Sequence, residues 1–370
     1  MPTTSEERRR VLVVGARGHL GKLVIAACRA RGDLDVAGSS RLADASDVRL
    51  DVTDPATFDA LDAVDVVIDA CDTSRGSPVD LALACLDRGI VFMATSADPE
   101  VFRSLLACAT DDRSRDAAER SHRGPEIGAG GPGAIVLGAG TFPGLSTALL
   151  EAAPRAAELE YRARWSVLSA AGRGTVEVMV DALSRPALAY VDGGFVQSAP
   201  LAPIERRVVD GRERTVVPLS VPDVALAPAA RGARSARFVA SVRPSAPAFV
   251  LRAIGAAAGR GAFRSRPIQA LVGGALVVLR GVLFRRRTTP LRIELHRTDG
   301  NSGLVAAVEC CDAFAAGASA VAAMAAGWPT GLRGLRFPYE GLPLRVLAEE
   351  IRSHAKIEFG PAALGEADRT

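Results

Sequence analysis

Lysine is almost missing from this 370-residue chain: it stands only at Lys22 and Lys356, and arginine carries nearly all of the positive charge. Chemistry built on a catalytic lysine therefore has two candidate positions. Net charge is also small, +3 at neutral pH, so the overall balance demands neither nucleic acid nor an anionic membrane as partner. The cysteines (Cys28, Cys71, Cys85, Cys108, Cys310 and Cys311) form no C-x-x-C pair, and most fall inside apolar runs. That argues against a zinc site or a disulfide framework, so no metal is expected, and a reducing, cytoplasmic compartment fits. The stretch Met1 to Arg10 is polar, without the apolar core of a signal peptide. Long apolar runs are lacking too. A membrane helix needs about 20 apolar residues, whereas Ile268 to Phe284 offers 17 with Arg280 among them. It reads as a buried or partly covered helix. Contact with a membrane surface through residues 268–287, which end in Arg285-Arg286-Arg287, is the less favoured alternative. No internal repeat is visible.

What is present is a core-forming composition, 48% hydrophobic and 24% charged, enough for two domains. Arg10 to Gly15 (RVLVVG) is a short apolar run ending in glycine, as a parallel strand buried on both faces should be. Leu20 to Arg31 reads as a helix stopped by Gly32, and Asp35 to Ser39 as a second strand. A short third strand follows at Val48 to Leu50, then a helix around Pro55 to Leu61 capped by Thr53 or Asp54. Asp65 to Ala70 and Ile90 to Ala94 are further buried strands, with helices over Pro78 to Arg88 and Asp98 to Thr110. Alternation of this kind predicts right-handed crossovers and a parallel sheet. Asp111 to Gly133 is polar and glycine-rich and reads as an exposed excursion. Ala134 to Gly138 returns as a strand, leading to a helix over Leu145 to Ala153.

Beyond that point the pattern changes. Glu158 to Leu168 alternates like a half-exposed strand, Gly174 to Leu183 reads as a helix, and hairpins are expected at 189–197, 206–217 and 290–310. An alanine-rich helix over Ala313 to Ala326 and a last one over Leu344 to Ser353 close the chain. The predicted fold is α/β: an N-terminal Rossmann doubly wound parallel sheet over 8–153, a mixed α+β sheet domain over 154–312, and C-terminal helices over 313–370 returning to the first domain.

The chemistry is concentrated after the first strand, in Gly15-Ala16-Arg17-Gly18-His19-Leu20-Gly21, a G-x-x-G-x-x-G loop opening a helix. The first glycine permits the tight turn, the second lets a pyrophosphate approach the backbone, and the third lets helix and strand pack closely. Free N–H groups at the helix start then face the phosphates. NAD sites usually place an acid at the end of the second strand to hold the ribose 2′-OH. This chain has Ser39-Ser40-Arg41 there, and hydroxyls with a guanidinium suit a 2′-phosphate. NADP(H) is therefore expected, with NAD as the alternative and Arg41 as a solvated loop residue in the bland reading. Asp51 and Val52 fall at the adenine edge, unless Asp51 only caps the next helix.

These features, taken in order, resemble the saccharopine dehydrogenase-like family of NAD(P)-binding oxidoreductases. The resemblance rests on VLVVGARGHLGK, the GSSR strand end, the PGLS run within Gly140 to Ser146, GRGTVEVMVDALS over Gly172 to Ser184, YVDGG and the closing GLRFPYE over Gly334 to Glu340. It covers most of the chain, with Pro218 to Pro267 the poorest match. It implies a Rossmann domain, a sheet domain that binds substrate and often pairs subunits into a homodimer, and a C-terminal helix packing back. Two loops depart from the family: Asp69-Ala70-Cys71-Asp72-Thr73 where members often carry a glycine-proline turn, and Thr95-Ser96-Ala97-Asp98 without the usual aromatic-acid pair. Both should face the nicotinamide, which argues against carrying over an amino-acid substrate.

Ligands of open α/β sheets lie beyond the carboxyl ends of the strands. That rule collects Ala70, Cys71, Asp72, Thr73, Thr95, Ser96 and the Gly140-to-Gly144 loop at the cleft. Cys71 is a candidate nicotinamide contact or a packed thiol. Thr141 is a candidate for the carboxamide or substrate, or a cap. Arg173, Gly174 and Thr175 open a predicted helix that could take a substrate carboxylate, or be an ordinary helix start. Tyr190 is a candidate proton donor. The histidines His19, His122, His296 and His354 lack a surrounding constellation that would make any of them a general acid. The leading expectation is an NADP(H)-dependent oxidoreductase of a small organic molecule. The alternatives are a non-catalytic dinucleotide sensor or scaffold, and a membrane-associated reductase of a lipid-like substrate.

Overall fold

The apolar runs read above as buried strands lie side by side in one sheet. The computed structural model describes residues 8–41, 48–71, 76–116, 132–166, 185–209, 212–243, 248–261, 290–300 and 302–363, with the single positions 274 and 288. The chain divides into two compact units, one of Met1–Ser96, Glu100–Gly144 and Gly317–Glu350, the other of Ala97–Pro99, Leu145–Ala316 and Ile351–Thr370.

The first unit holds β1 (Arg9–Val14), β2 (Leu34–Ser40), β3 (Val48–Arg49), β4 (Val66–Asp69), β5 (Val91–Ala94), β6 (Ala134–Leu137) and β15 (Gly334–Arg336). Their order is β15-β6-β5-β4-β1-β2-β3, and every pairing is parallel. Residues Val11 to Val14 and Val66 to Ile68 are 0–2% exposed, as strands covered on both faces must be. Full burial of such side chains contributes about 1.5–3 kcal/mol each. Helix α1 (His19–Arg31) ends at Gly32 with φ of +77°, the left-handed stop that glycine adopts without strain. Pro55–Leu61 is a 3-10 turn rather than an α-helix, and its cap is Asp54, which accepts the Ala56 N–H at 3.2 Å. Helices α2 (Val79–Asp87) and α3 (Pro99–Asp116) link the next strands. Helix α3 runs six residues into the expected excursion, because Asp111 to Asp116 contains no glycine or proline to stop it. The remaining excursion, 117–131, lies outside the described residues.

The second unit is built on a nine-stranded sheet: β7 (Glu158–Ser166), β8 (Ala187–Val191), β9 (Gly194–Ser198), β10 (Glu205–Val209), β11 (Arg212–Pro218), β12 (Ser235–Arg243), β13 (Leu291–Arg297), β14 (Gly303–Cys310) and β16 (Ala355–Phe359). The path is β10-β11-β12-β7-β13-β14-β16, with β8 on β12 and β9 on β8. Only the β12–β7 pairing is parallel among the described strands, so the sheet is mixed. Alternation along β7 sends Leu159, Tyr161 and Ala163 inward at 0–4% exposure.

The helix expected over Leu145 to Ala153 is a single turn, α4 (Leu145–Ala148), followed by a 3-10 turn over Leu149–Ala152. Helix α5 (Pro222–Arg231), strand β12 and helix α6 (Ala248–Gly259) lie in the stretch where the resemblance was poorest, and the sequence reading assigned none of them. Helix α7 (Ala313–Gly327) falls where the alanine-rich run predicted it. It is followed by β15, α8 (Pro338–Gly341) and α9 (Leu344–Glu350). The last expected helix stops at Glu350, and the final element is a strand. A turn in which Ile351 C=O accepts the N–H groups of His354 and Ala355 re-aims the chain onto β14, so His354 is in that turn and not in a helix. The helix expected at 174–183 lies outside the described residues, as does that at 268–284 apart from Gly274, which is helical and exposed. No described helix is long and apolar enough to cross a membrane.

Candidate functional site

Chain order in the first sheet reverses between β1 and β4, and at such a switch point the carboxyl ends of neighbouring strands leave a crevice. From β1 the crevice receives the glycine loop. Gly15 has φ of +79°, and a Cβ there would sit 2.7 Å from the Ala70 carbonyl oxygen. A Cβ on Gly21 would sit 2.3 Å from the Gly15 carbonyl oxygen, so α1 packs on the loop only because position 21 lacks one. Gly18 is the N-cap of α1. It supplies no capping side chain, and the first turn has no acidic residue. The helix thus presents its positive end with no acid of its own first turn competing for it, which suits an anion site. Gly18 N–H is spent on Gly15 C=O at 2.9 Å, and Ala16 N–H on Ser39 C=O at 3.2 Å, which pins the loop across the ends of β1 and β2. Arg17, Gly18 and His19 are exposed, Leu20 is half-buried and Ala16 is buried.

At the end of β2 the three predicted phosphate ligands differ. Ser39 is fully buried, and its hydroxyl donates to Val13 C=O at 3.5 Å, so that side chain serves the sheet. Ser40 is half-buried, and Arg41 is exposed just beyond the strand. Asp51 does not cap the following turn, which is the work of Asp54. Asp51 Oδ1 instead accepts the Thr53 N–H at 3.0 Å and the Thr53 hydroxyl at 2.8 Å, and the backbone bond chiefly holds its pKa below the usual carboxylate range. Val52 beside it is 9% exposed.

Strand β4 ends in Asp69, 1% exposed in an otherwise apolar strand. Its Oδ1 accepts the Cys71 N–H at 3.1 Å, the Cys71 thiol bonds to the same carboxyl, and burial pushes its pKa up to about 6 against those bonds. Thr95, past the end of β5, donates its hydroxyl to the Asp69 backbone carbonyl. Ala70 and Cys71 are half-buried and Ser96 is buried. Asp72 and Thr73 lie outside the described residues.

The loop after β6 is tightly folded. Gly140 bridges to Gly144, whose Cβ would stand 1.8 Å from the Gly140 carbonyl oxygen, and the Phe142–Pro143 peptide is cis. Thr141, half-buried on this loop, touches α7 at Gly317, where a Cβ would stand 2.1 Å from its hydroxyl oxygen. Thr141 therefore fills a notch in α7. The topology thus brings Gly15–Gly21, Ser40, Arg41, Asp51, Val52, Ala70, Cys71, Thr95 and Thr141 to the carboxyl ends of one sheet. Sequence reasoning missed the burial of Asp69 and the Gly317 notch. The available signals were an acid closing an apolar strand and a glycine inside an alanine-rich helix.

The second unit contributes a different set of groups. Tyr190 is on β8, half-buried, its ring edge-to-face with Phe195 at 5.1 Å. Arg173, Gly174 and Thr175 lie outside the described residues. Asp223 on α5 is fully buried and accepts the Thr147 hydroxyl at 2.9 Å; burial pushes its pKa up to about 6. On the charged face of the sheet, Glu160 is buried between Arg162 at 2.6 Å, Arg207 at 2.5 Å and Arg237 at 2.5 Å. Glu294 there is pulled down to about 2 by its bond to His296, with Arg292 adding to it. Cys28 and Cys310 are pushed up to about 12 by burial, so they are packed thiols and not nucleophiles. Among the described residues no cluster of His, Cys, Asp and Glu could hold a metal ion.

No family profile matches the sequence, and no curated protein sequence matches it. Among solved structures, the chain is similar to the DAP dehydrogenase of C. glutamicum in complex with DAP, at 18% identity over 92% of this chain and 95% of that one, with a TM-score of 0.43. It is similar to a mutant meso-DAP dehydrogenase of Clostridium tetani E88, at 12% identity over 94% and 99%, with a TM-score of 0.42. A third is an engineered D-amino acid dehydrogenase bound to NADP+, at 16% identity over 92% and 96%, with a TM-score of 0.40. At these identities the likeness is one of fold.

Proposed function

We propose that this protein is an NADP(H)-dependent oxidoreductase of the saccharopine dehydrogenase-like kind, moving a hydride to or from a small organic substrate as a cytoplasmic homodimer. The observation that carries the reading is the α1 entrance. Gly15 and Gly21 let the loop turn tightly and α1 pack on it, Gly18 leaves the helix start without a side chain, and the helix end has neither a side-chain cap nor an acid. Gly15, Ala16, Arg17, Gly18, His19, Leu20 and Gly21 would hold the pyrophosphate. Ser40 and Arg41, with no acid beside them on β2, would take a 2′-phosphate. Asp51 and Val52 would line the adenine, and Ala70 and Cys71 the nicotinamide side. The substrate residues in this reading are Thr141, Arg173, Gly174 and Thr175. The nicotinamide ring supplies the hydride chemistry when bound; the protein supplies orientation and dryness.

The test is calorimetric titration with NADPH and NADH. In this reading NADPH binds more tightly, and Arg41→Ala removes the preference. Gly18→Asp abolishes both while the fold survives. Gly18 has φ of −67° and ψ of 166°, which any residue adopts, and aspartate is a good N-cap. Its carboxylate then lies where the phosphates must go. Binding of neither nucleotide at millimolar concentration overturns the reading. Binding without NADPH oxidation across carbonyl, imine and conjugated-alkene substrates would leave a sensor or scaffold in its place.

A further inference from the structure

Asp69 is a carboxylate with an unusual burden. It closes the strand beside the glycine loop, is buried, and has no ion-pair partner among the described residues. One oxygen, Oδ2, has no hydrogen-bond partner among them either. Buried carboxylates are ordinarily neutralised by a cation or several N–H donors. Here the described donors are the amide and thiol of Cys71.

The segment carrying it is held rigidly against the loop. Ala70 N–H donates to Val14 C=O at 2.9 Å, the Thr95 hydroxyl holds the Asp69 carbonyl, and the Ala70 carbonyl oxygen fills the space a Gly15 Cβ would need. Charge on Asp69 is therefore felt at the helix end built to attract an anion, through packed backbone and not through bulk water.

Among the described residues, the other groups facing Asp69 are few. Helix α2 presents Cys85, whose thiol burial pushes up and keeps uncharged. Strands β1 and β5 present no ionisable side chain beyond Arg9 and Arg10 at the far end of β1. The glycine loop and the first turn of α1 carry Arg17, His19 and Lys22.

We propose that Asp69 is a proton-linked positioning residue of the dinucleotide site: binding of the anionic dinucleotide at the glycine loop is coupled to protonation of the buried Asp69 carboxyl. This rests on the dinucleotide reading above. The charged carboxylate and the phosphates repel one another, so binding draws a proton from solvent onto Asp69. By reciprocity, affinity falls as pH rises through the range in which Asp69 ionises. Burial already sets that range near pH 6 in the free protein. If the bound anion raises the Asp69 pKa by about one unit, affinity drops by up to about tenfold from pH 5 to pH 8.

The experiment is calorimetric titration with NADP+ at pH 5.5, 6.5 and 8, each in two buffers of different ionisation enthalpy, on the full chain. The expected result is tighter binding at pH 5.5 with net proton uptake. Asp69→Asn keeps binding but loses both the uptake and its share of the pH slope. The 2′-phosphate of NADP+ also titrates, and it is common to every variant, so the difference between variants is the readout. Should the Asp69→Asn variant fail to fold, Cys71→Ala removes a bond to the charged carboxyl and shifts the midpoint of the slope upward. An undiminished slope and undiminished proton uptake in Asp69→Asn, compared with the wild type, overturn the proposal and leave dinucleotide binding standing. Failure of the wild type to bind at any pH overturns the dinucleotide reading itself.

Discussion

Asp223→Asn tests whether burial of a carboxylate in the second unit costs what its surroundings imply. Asp223 is fully buried on α5, its Oδ1 accepts the Thr147 hydroxyl at 2.9 Å, and Oδ2 is without a hydrogen-bond partner among the described residues. Burial first, against the hydroxyl bonds, lifts its pKa from the ordinary 3.8 to about 6. A folded pKa above the unfolded one means that the neutral carboxyl favours folding. That contribution is complete below pH 3.8 and is lost as pH rises through 6. The shift corresponds to about 3 kcal/mol between the two ends of the window. An amide in the same place carries no charge to desolvate but accepts the Thr147 bond more weakly, and its buried NH2 lacks a fixed acceptor. The net expectation at pH 8 is a gain of about 1–2 kcal/mol, falling to none or slightly below zero at pH 4.5. The assay is urea unfolding followed by tryptophan fluorescence at pH 4.5, 6 and 8. The two tryptophans divide between the units, Trp165 on β7 and Trp328 after α7. A Trp328→Phe background therefore reports the second unit alone and keeps the similar titration of Asp69 out of the signal. Carboxylates held low, such as Glu294 at about 2, lose their contribution below pH 4.5 and leave the window clear. A variant less stable than wild type at pH 8, with the wild-type slope between pH 4.5 and 8 intact, would refute the burial argument.

Gly21→Ala forces a methyl group to within 2.3 Å of the Gly15 carbonyl oxygen. The expected loss is about 1–3 kcal/mol in the unit reported by Trp328, together with weaker nucleotide binding; unchanged unfolding would mean that α1 shifts freely. Glu160→Gln strands Arg162, Arg207 and Arg237 around a neutral group. Glu160 is buried but the three arginines reach solvent, so screening reduces the loss to about 1–2 kcal/mol, read from the Trp165 transition at neutral pH, and an unchanged stability would show that the cluster contributes nothing. Glu294→Gln removes a carboxylate held near 2 against its ordinary 4.5. Its contribution is present above pH 4.5 and fades as pH falls towards 2, so the variant should lose about 2–3 kcal/mol at pH 7 and little at pH 2, measured by the same denaturation series.

Several of these residues could be placed from sequence, and others could not. The glycine loop was legible because its three glycines, the strand before it and the helix after it are contiguous, and turn chemistry is local. The β8–β9 and β13–β14 hairpins were legible for the same reason, from Asp192-Gly193 and Asp299-Gly300 between alternating runs. The end of α9 was misread, and β16 missed, because Leu344 to Ser353 has no breaker. Only the turn at Ile351 and pairing with β14, some fifty residues earlier in the chain, end that helix. Ser39 looked like a phosphate ligand from its position, yet which way a strand residue points depends on register against its neighbour, and here the hydroxyl meets Val13.

By itself, then, the sequence determined the parallel sheet, the loop that opens α1 and the change to a mixed sheet after residue 154, since each follows from periodicity of two or 3.6 residues and from glycine and proline punctuation. The tertiary structure alone decided the charge environment. Thr95 meets Asp69 across 26 residues, Arg207 meets Glu160 across 47, and Thr147 meets Asp223 across 76. No local pattern encodes such pairs, because strand order and helix packing choose which distant side chains share a buried space. Whether a carboxylate there is charged depends on that shared space and not on its neighbours in the chain.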